Sequence, residues 1–585
     1  MSAQTVNKYD FIVVGGGPAG CVIASHLASS PQVPTVLLLE AGGPNDDIRD
    51  RVLADKYEVM RDPRLSWEYL TTPQKELNNR AIDARRGKGL GGSSANNLCG
   101  YTIGPKHDYD EWAKVVGDDN FNWENTQRRY KQLENYKNRA AASGRPYSKY
   151  VRLRDHDHGH SGKLNVEFAA EWEGSLINTL DYLEAAGTKI NVDLNSGDPL
   201  GVGVVPATAH DGYRHTGSSA FLRDAPRNLT VLTDARVERI LFNGKTAVAV
   251  QANSRRYDAT CEIILSAGAL DSPKLLKLSG VGPRRELSQL GINVIHDLPG
   301  VGENLRDHPL CACIIALKDS SDGVLSLYGN GTKLDSARQQ FLHAGGTGSL
   351  SVYNQHLIVG WFRHREVFES EEFKALPEDV RSYLSQPTVP NAEIITHNLP
   401  LLSGPEFDPK IQYLMVSAVG QVPQSQGTVK LASADPYAAP LSDPALLSHP
   451  FDRRTMISSI RHIMQLFGSH AIRSRTLQPI SLPKSTSDED ILTFLREVTF
   501  STFHPSCTVK MGRSNDKMAC LDTAFRVRGL QRLRVADLSS LPFLPNCHPQ
   551  SVAYLIGLTV AESVIADYNR DDGRYKRNKL SAKLA

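Results

Sequence analysis

Two histidines near the C-terminal end of the 585-residue chain are candidates for proton transfer. His504 lies in "TFHPSC" and His548 in "NCHPQS", 44 residues apart, and each precedes a proline. An imidazole with an unperturbed pKa of roughly 6.5 can take or give a proton near neutral pH. Taken alone, each histidine fits a structural role more often than a catalytic one. Their chemistry therefore depends on which other parts of the chain are placed beside them.

A glycine turn near the N-terminus predicts a nucleotide-binding element. In "DFIVVGGGPAGCVIASHL", Gly15, Gly17 and Gly20 fit G-x-G-x-x-G between an apolar run and a helix-like pattern. The next strand-like run, "TVLLLE", ends at Glu40, 20 residues after Gly20, where a dinucleotide fold places the acid that binds ribose hydroxyls. The glycines let a helix N-terminus face a pyrophosphate at close range. This stretch leaves both NAD and FAD open.

Six further motifs, taken in order, identify a family that the chain resembles. They are "RRGKGLGGSSANNLCGY" (Arg85–Tyr101), "GALDSPKLLKLSGVG" (Gly268–Gly282), "LPGVGENLRDHP" (Leu298–Pro309), "TFHPSCTVKMG" (Thr502–Gly512), "LRVADLSSLP" (Leu533–Pro542) and "NCHPQS" (Asn546–Ser551). Together with the glycine turn they resemble the glucose–methanol–choline (GMC) oxidoreductases, which are flavoenzymes, from about Tyr9 to Ala566. The resemblance implies FAD as the cofactor, with the two histidines over the flavin ring and facing the substrate.

The resemblance also implies which residues hold the cofactor. They are Gly15, Gly17, Pro18, Ala19, Gly20, Glu40, Ala41, Trp67, Gly91, Ser93, Asn97, Leu98, Val237, Asp537 and Pro549. Asn96 stands where some members carry a histidine that bonds covalently to the flavin, so we expect non-covalent FAD. Cys507 is a second departure, because the histidine motif more often has glycine there.

The reaction implied is the oxidation of an alcohol to an aldehyde or ketone. It removes a proton from the oxygen and a hydride from the adjoining carbon, and flavin N5 can accept the hydride. We assign His504 as the general base and His548 as the hydrogen-bond partner of the same oxygen. The two roles could also be exchanged or shared. Phe503 is a candidate for contact with the substrate, or else a core residue.

The substrate is expected to be a small-molecule primary alcohol, with aryl and secondary-metabolite alcohols as candidates. Tyr353, Trp361, Phe362 and Tyr413 supply enough aromatic side chains for such a pocket, although core packing explains them equally well. O₂ or another electron acceptor would re-oxidise the flavin. The alternatives are a non-redox, cyanohydrin-type lyase that retains FAD, and an NAD-dependent dehydrogenase, which leaves the later motifs unexplained.

The predicted fold class is α/β. We expect a Rossmann-like FAD-binding domain, discontinuous over 1–160, 213–314 and 505–570, and an α+β substrate-binding domain built on an antiparallel sheet from 160–212 and 315–504. The remaining segment, 571–585, is a basic tail. The polar span 137–162 is expected to be a loop, and the cluster "DHDHGH" within it is interpreted as part of that loop rather than as a metal site.

Net charge, hydropathy and cysteine spacing argue against several classes of partner and predict where the protein is located. The net charge is +2, which gives no reason to expect a nucleic acid as partner. The apolar run Val552–Ala566 is interrupted by Glu562 and is interpreted as a buried helix, so no membrane partner is expected. The eight cysteines show no framework spacing and, with no signal peptide recognised, are expected to be free thiols in an intracellular, cytoplasmic enzyme.

Overall fold

The structure is a computed structural model. It describes residues 7–47, 52, 55–138, 147–169, 172–320, 327, 331–344, 348–352, 357–397, 407–408 and 410–569. The predicted basic tail, 571–585, and Tyr353 lie outside the described residues, as does the segment 139–146 of the predicted loop.

The first sheet contains the predicted nucleotide-binding unit. Its strands, in spatial order, are Leu229–Leu232, Val36–Leu39, Lys8–Val14, Arg255–Leu265, Thr246–Ala252 and Val237–Asn243, and Leu533–Val535 also pairs with Arg255–Leu265. The neighbours of Lys8–Val14 are parallel to it, whereas Thr246–Ala252 and Val237–Asn243 pair antiparallel. Phe11 to Val14 and Val36 to Leu39 are buried, as expected for apolar strands covered on both faces of a parallel sheet.

The second sheet is antiparallel throughout. Its strands, in spatial order, are Thr476–Ser481, Pro309–Ser320, Ile411–Gly420, Ala392–His397, Leu357–Phe362 and Gly201–Val205, and Phe500–Ser501 also pairs with Pro309–Ser320. The predicted combination of a Rossmann-like sheet with an antiparallel sheet is therefore confirmed.

Smaller sheets are also present. They are Glu303–Leu305 with Gly427–Lys430 and Leu441–Asp443, Ser66–Trp67 with Arg86–Gly87, Glu134–Asn138 with Leu164–Phe168, Ala209–His210 with Tyr213–Arg214, and Val281–Gly282 with His296–Asp297.

Helices cover the sheets and connect them. They are Pro18–Ala28, Lys56–Arg61, Lys106–Val116, Trp123–Leu133, Gly174–Ala185, Gly217–Phe221, Asp271–Leu278, Arg284–Gln289, Gly331–His343, Ser349–Val352, Arg365–Glu369, Glu371–Lys374, Glu378–Leu384, Pro450–Gly468, His470–Arg473, Asp488–Val498 and Gln550–Asn569.

The domain boundaries stay a prediction, but one strand bears on the boundary expected at residue 314. The long strand Pro309–Ser320 belongs wholly to the second sheet, so it crosses the boundary expected at residue 314.

The last helix, Gln550–Asn569, packs against the first. A Cβ added to Gly557 would lie 2.8 Å from the Ala19 carbonyl oxygen, so the two helices approach closely at this glycine. Among the described residues this is the one helix long and apolar enough to cross a membrane, and 72% of its apolar window is buried inside the protein. Its burial agrees with the interpretation of Val552–Ala566 as a core helix.

All eight cysteines are free and buried. Burial raises the pKa of the Cys261 thiol to about 11 and of Cys507 and Cys520 to about 12, so these sulfurs stay protonated at neutral pH.

Candidate active site

Three turns converge at the N-terminus of the first helix, Pro18–Ala28. The Gly91 N–H donates to the Gly16 carbonyl at 2.8 Å, and the Gly217 N–H donates to Ser94 Oγ at 3.0 Å. Gly92, with φ +51°, lies so close that an added Cβ would be 2.8 Å from Gly17 Cα. Gly17 itself faces open space, because an added Cβ would meet no atom within 4 Å. A helix N-terminus beside such a space fits a pyrophosphate group.

Glu40 lies where the spacing predicts it, directly after the strand Val36–Leu39. Its carboxylate accepts the N–H groups of Gly16 at 2.8 Å, Gly42 at 2.8 Å and Gly89 at 3.2 Å. Burial raises the pKa of Glu40, and these hydrogen bonds oppose that shift. Glu40 therefore holds three glycine turns together beside the predicted ribose position, and Ala41 follows it in the same turn.

Asp537 borders a second open position. Its side chain accepts the Gly268 N–H at 2.9 Å, the Ser272 hydroxyl at 2.5 Å and the Ser539 N–H at 2.8 Å. Gly268 has φ +89°, and an added Cβ there would also meet no atom within 4 Å. The glycine turns around Gly17, Gly92 and Gly268, together with Glu40 and Asp537, form a cradle. The residues of this cradle fit an extended dinucleotide such as FAD.

Trp67 and Val237 are linked through Arg236. The Arg236 guanidinium lies 5.3 Å from the Trp67 ring centroid, and Val237 is the next residue, at the start of strand Val237–Asn243. The Lys88 ammonium lies 4.8 Å from the same ring. Trp67 is therefore in cation–π contact with both Arg236 and Lys88.

Asn97 connects the glycine-rich motif to the start of the last helix. Its side-chain amide donates to Gln550, the residue after Pro549, and Arg214 Nη1 donates to the Asn97 carbonyl at 2.7 Å. Ser93 Oγ accepts the Arg86 guanidinium at 2.8 Å. Leu98 packs against the apolar face of the second sheet. Asn97 is thus tied to the last helix, and Leu98 contacts the second sheet.

Asn96 is turned away into the protein. Its side-chain amide donates to the Leu65 carbonyl at 3.1 Å and to Ser66 Oγ at 2.9 Å. An amide also lacks the nucleophilic nitrogen that a histidine offers at this position.

The structure brings the two predicted catalytic histidines together. The ring centroids of His504 and His548 are 5.1 Å apart and the rings are nearly perpendicular, at 88°. His504 is buried and the His548 side chain is 16% exposed. Burial lowers the pKa of His504 well below its ordinary value, and the neighbouring His548, His308 and Arg86 lower it further.

The loop that carries His504 is held by two charged side chains, Asp307 and Arg86. Asp307 accepts the His504 backbone N–H at 2.9 Å and the Ser501 hydroxyl at 2.5 Å. Arg86 Nη1 donates to the Phe503 carbonyl at 2.6 Å, and Phe503 has φ +62°, which is rare outside glycine. Burial raises the pKa of Asp307 to about 6. The strained turn at Phe503 is therefore fixed by two charged groups.

Phe503 and Cys507 both have positive φ angles in the turn that carries His504. Phe503 is half-buried and lines a small cavity with Leu270, Leu305 and Pro505. Cys507 has φ +74°, a conformation that glycine adopts without strain and other residues rarely do. This conformation agrees with the glycine that is more usual there.

His308 is a neighbour of His504 that the sequence analysis did not single out. Its Nδ1 lies 3.0 Å from His504 Nδ1, and burial lowers the pKa of His308 to about 3. The residue belongs to the quoted motif "LPGVGENLRDHP", so the motif was visible, but nothing in it indicated contact with residue 504.

Glu393 and Gln421 form a second group that the sequence analysis missed. His548 Nε2 lies 2.8 Å from Glu393 Oε1, and Gln421 Nε2 donates to Glu393 Oε2 at 2.6 Å. The backbone N–H of His548 donates to Thr102 Oγ1 at 2.8 Å. Because Glu393 lies in the strand Ala392–His397, this contact joins the second sheet to the last motif.

The histidines of "DHDHGH" are separate from this site. His158 is buried against Asp193, with Nε2 3.1 Å from Oδ2, and its Nδ1 lies 3.8 Å from Glu134. His160 Nδ1 lies 3.1 Å from the Tyr136 carbonyl oxygen, and the His156 side chain is 79% exposed. The three rings therefore have different surroundings.

The aromatic candidates in the second sheet are mostly packed in its core. Trp361 is buried with Val359 and Ile395 and with the half-buried Leu98 and Phe500. Tyr413 belongs to another apolar cluster. Phe362 contacts His462, with ring centroids 4.7 Å apart.

Comparisons with known proteins agree with this geometry. The family models described as GMC oxidoreductase match residues 9–310 and 423–557. The chain is 32% identical to the glucose methanol choline oxidoreductase atC of Aspergillus terreus, over 96% of this chain and 93% of the relative. It is 34% identical to an oxygen-dependent choline dehydrogenase of Stenotrophomonas maltophilia, over 92% and 91% of the two chains.

A solved structure gives the same result. The fold matches an FAD-dependent oxidoreductase from Chaetomium thermophilum with a TM-score of 0.83 and 26% identity, over 96% of this chain and 99% of that one. The resemblance drawn from the motifs is therefore confirmed: the chain belongs to the GMC oxidoreductases, a family of flavin-dependent enzymes that act on alcohols.

Proposed function

We propose that the protein oxidises a primary alcohol to the aldehyde, with non-covalently bound FAD as the hydride acceptor. The observation that carries the proposal is the pair of neighbouring rings of His504 and His548, whose centroids are 5.1 Å apart. This reaction class needs a proton acceptor and a directed hydrogen-bond donor at one oxygen, and the pair supplies two candidates.

His504 is suited to accept the hydroxyl proton. Its Nδ1 contacts His308, and when His504 is the donor in that contact, Nε2 is free to accept from the substrate oxygen. Its pKa lies well below the ordinary value because the ring is buried, so it is neutral at working pH. When bound, FAD supplies an electrophilic N5 for the hydride that leaves the carbinol carbon. With FAD bound, the alcohol would lose its hydroxyl proton to His504, and the cofactor would supply the hydride acceptor.

The cofactor would be held by the residues that form the cradle. The turn at Gly17 and the Pro18–Ala28 helix would receive the pyrophosphate, Glu40 the ribose, and Asp537 and Gly268 the central part of the dinucleotide. Asn96 supports non-covalent attachment, because its amide is engaged by Leu65 and Ser66 and is not a nucleophile.

An apolar surface supports an aryl or similarly apolar alcohol as substrate. Leu98 and Phe500 are half-buried and pack beside Trp361 on the face of the second sheet that meets the glycine-rich motif. O₂ or another electron acceptor would re-oxidise the flavin; the similarity to an oxygen-dependent choline dehydrogenase supports O₂.

The test begins with the purified holoenzyme. Acid precipitation should release all of the yellow cofactor into the supernatant as FAD; colour that stays with the protein would contradict non-covalent binding. An anaerobic panel of aliphatic, aryl and sugar alcohols should then bleach the flavin, with aryl alcohols acting fastest. A flavin that no alcohol bleaches, together with cleavage of a cyanohydrin, would replace this proposal with the lyase alternative.

A further inference from the structure

The peptide unit between Phe503 and His504 is held at both of its polar ends. Arg86 Nη1 donates to the Phe503 carbonyl at 2.6 Å, and Asp307 Oδ1 accepts the His504 N–H at 2.9 Å. Because a peptide unit is planar, these two contacts together fix its orientation, and with it the direction in which the His504 side chain leaves the backbone. The arginine and the aspartate therefore set the position of the assigned base.

Arg86 also contacts the glycine-rich motif. Its Nη2 donates to Ser93 Oγ at 2.8 Å, and the Gly87 N–H donates to the same oxygen at 3.1 Å. Arg86 lies opposite Trp67 in a two-stranded sheet. Ser93 and Trp67 are both among the residues that the family resemblance assigns to the cofactor. One guanidinium thus joins the predicted FAD-binding motif to the turn that carries the base.

We propose that Arg86 is a positioning residue that couples the flavin-binding motif to His504. This role rests on the proposed function, and it adds the group through which the cofactor site would set the geometry of the proton acceptor. Arginine suits the role, because its planar guanidinium presents several N–H donors in a fixed fork and carries a permanent charge. The bridge joins parts of the chain that are 417 residues apart.

The turn at Phe503 needs such a support. Phe503 has φ +62°, in the left-handed region that residues other than glycine rarely occupy, and such a conformation persists only where neighbouring contacts hold it. The Phe503 N–H donates to Ser501 Oγ at 2.7 Å, and the Ser501 hydroxyl donates to Asp307. Arg86 supplies the contact on the carbonyl side, so its loss would free the peptide unit to rotate.

The guanidinium also acts on His504 through its charge. Burial is the main cause of the low pKa of His504, and positive charge at His548, His308 and Arg86 lowers it further. Burial lowers the pKa of Arg86 as well, and the charge of Asp307 opposes that shift. Unlike the two neighbouring histidines, Arg86 keeps its charge across the working pH range. It therefore helps to keep His504 neutral, which is the form that a base needs.

Arg86→Lys and Arg86→Gln separate the two effects. Lysine keeps the charge and loses the fork, whereas glutamine loses both. Flavin reduction by the best alcohol should slow about 10- to 100-fold in both variants, because a small displacement of a reacting group has a cost of that size. The KM should change much less than the kcat. The acid limb of the rate profile should move to higher pH in Arg86→Gln alone, because loss of a positive charge lets the pKa of His504 rise.

Arg85→Gln is the matched control. Arg85 is the adjacent arginine, but its Nε donates to Asp83 Oδ2 at 2.7 Å and its Nη1 to the Met60 carbonyl at 3.2 Å. Its replacement removes the same charge from the same segment and should leave the reduction rate and the acid limb unchanged. Reduction within about twofold of the wild-type rate in an Arg86→Lys variant that folds and retains FAD would overturn the inference.

Hydrogen exchange measures the coupling without turnover. In the wild type, peptides that cover residues 500–508 should exchange more slowly in the holoenzyme than in the apoprotein. This difference should shrink by about half or more in Arg86→Lys and should be retained in Arg85→Gln. An apo–holo difference that is unchanged in Arg86→Lys would overturn the inference. If no alcohol reduces the wild-type flavin, the proposed function fails, whereas the exchange result still decides the coupling.

Discussion

The Nδ1 atoms of His504 and His308 lie 3.0 Å apart, so one buried imidazole donates a hydrogen to the other. If His504 donates, its proton is on Nδ1 and Nε2 is free to accept from an alcohol. If His308 donates, the hydrogen of neutral His504 is on Nε2, which then cannot act as a base. Base catalysis at Nε2 therefore requires His308 to be the acceptor, and the low pKa of His308, about 3, keeps it neutral for that role.

His308→Phe keeps a ring and removes the hydrogen-bond acceptor of His504. The protonated form of His504 that follows proton abstraction loses its hydrogen-bond partner, so flavin reduction should slow by about tenfold or more, with FAD still bound. Anaerobic stopped-flow absorbance measures this rate. An unchanged rate in a well-folded variant would show that His504 does not depend on His308.

Two glycines of the cradle, Gly17 and Gly92, allow cofactor binding to be tested separately from stability. Gly17 has an extended backbone with φ −75°, and an added methyl group would meet no protein atom, so Gly17→Ala should fold with an unchanged melting temperature of the apoprotein. The methyl group would instead occupy the predicted pyrophosphate position and weaken FAD binding by about tenfold or more. Titration of the apoprotein with FAD measures this affinity.

Gly92→Ala is the matched comparison. Its φ of +51° and the 2.8 Å approach of an added Cβ to Gly17 Cα predict lower stability of the protein even without the cofactor. If Gly17→Ala binds FAD normally, the assignment of this turn to the pyrophosphate is wrong.

His158 should make the free energy of unfolding depend on pH. Burial alone lowers the pKa of His158, but hydrogen bonds to Asp193 and Glu134 outweigh it and raise the pKa to about 9. The folded-state pKa is therefore above the ordinary value of about 6.5 in the unfolded chain. The stabilisation is complete below about pH 6.5 and is lost as the pH rises through 9.

Wild type and His158→Gln should accordingly differ most in free energy of unfolding near pH 6 and least above pH 9, measured by denaturant titration. His156→Gln is the control, because it removes an exposed imidazole of the same segment that does not contact Asp193 or Glu134 in the described structure. A difference for His158→Gln that grows with pH would contradict this account.

Local patterns made part of the structure predictable from the sequence. The segment from Phe11 to Glu40 combines a strand, a glycine turn, a helix and a second strand in one continuous stretch, so the first unit followed from short-range rules. The family motifs added His504 and His548. The partners of these two histidines were not predictable in this way, because His308 is 196 residues from His504 and Glu393 is 155 residues from His548. Such contacts depend on how the two sheets pack, which no local pattern encodes.

For the aromatic candidates, residue type alone did not distinguish a pocket position from a core position. Trp361 and Tyr413 suggested a pocket from residue type alone, yet both are buried in apolar clusters. Whether an aromatic side chain faces a pocket or the core depends on the strand register, which a one-residue shift reverses.

Flavin reduction in His504→Ala, followed anaerobically with the best alcohol from the panel, tests the role of His504 most directly. We expect the variant to keep its bound FAD, because His504 does not form the cradle. Reduction should slow by about 10²- to 10⁴-fold, the usual contribution of a general base. Reduction at nearly the wild-type rate would contradict the assignment of His504 as the base, and with it the division of roles between the two histidines.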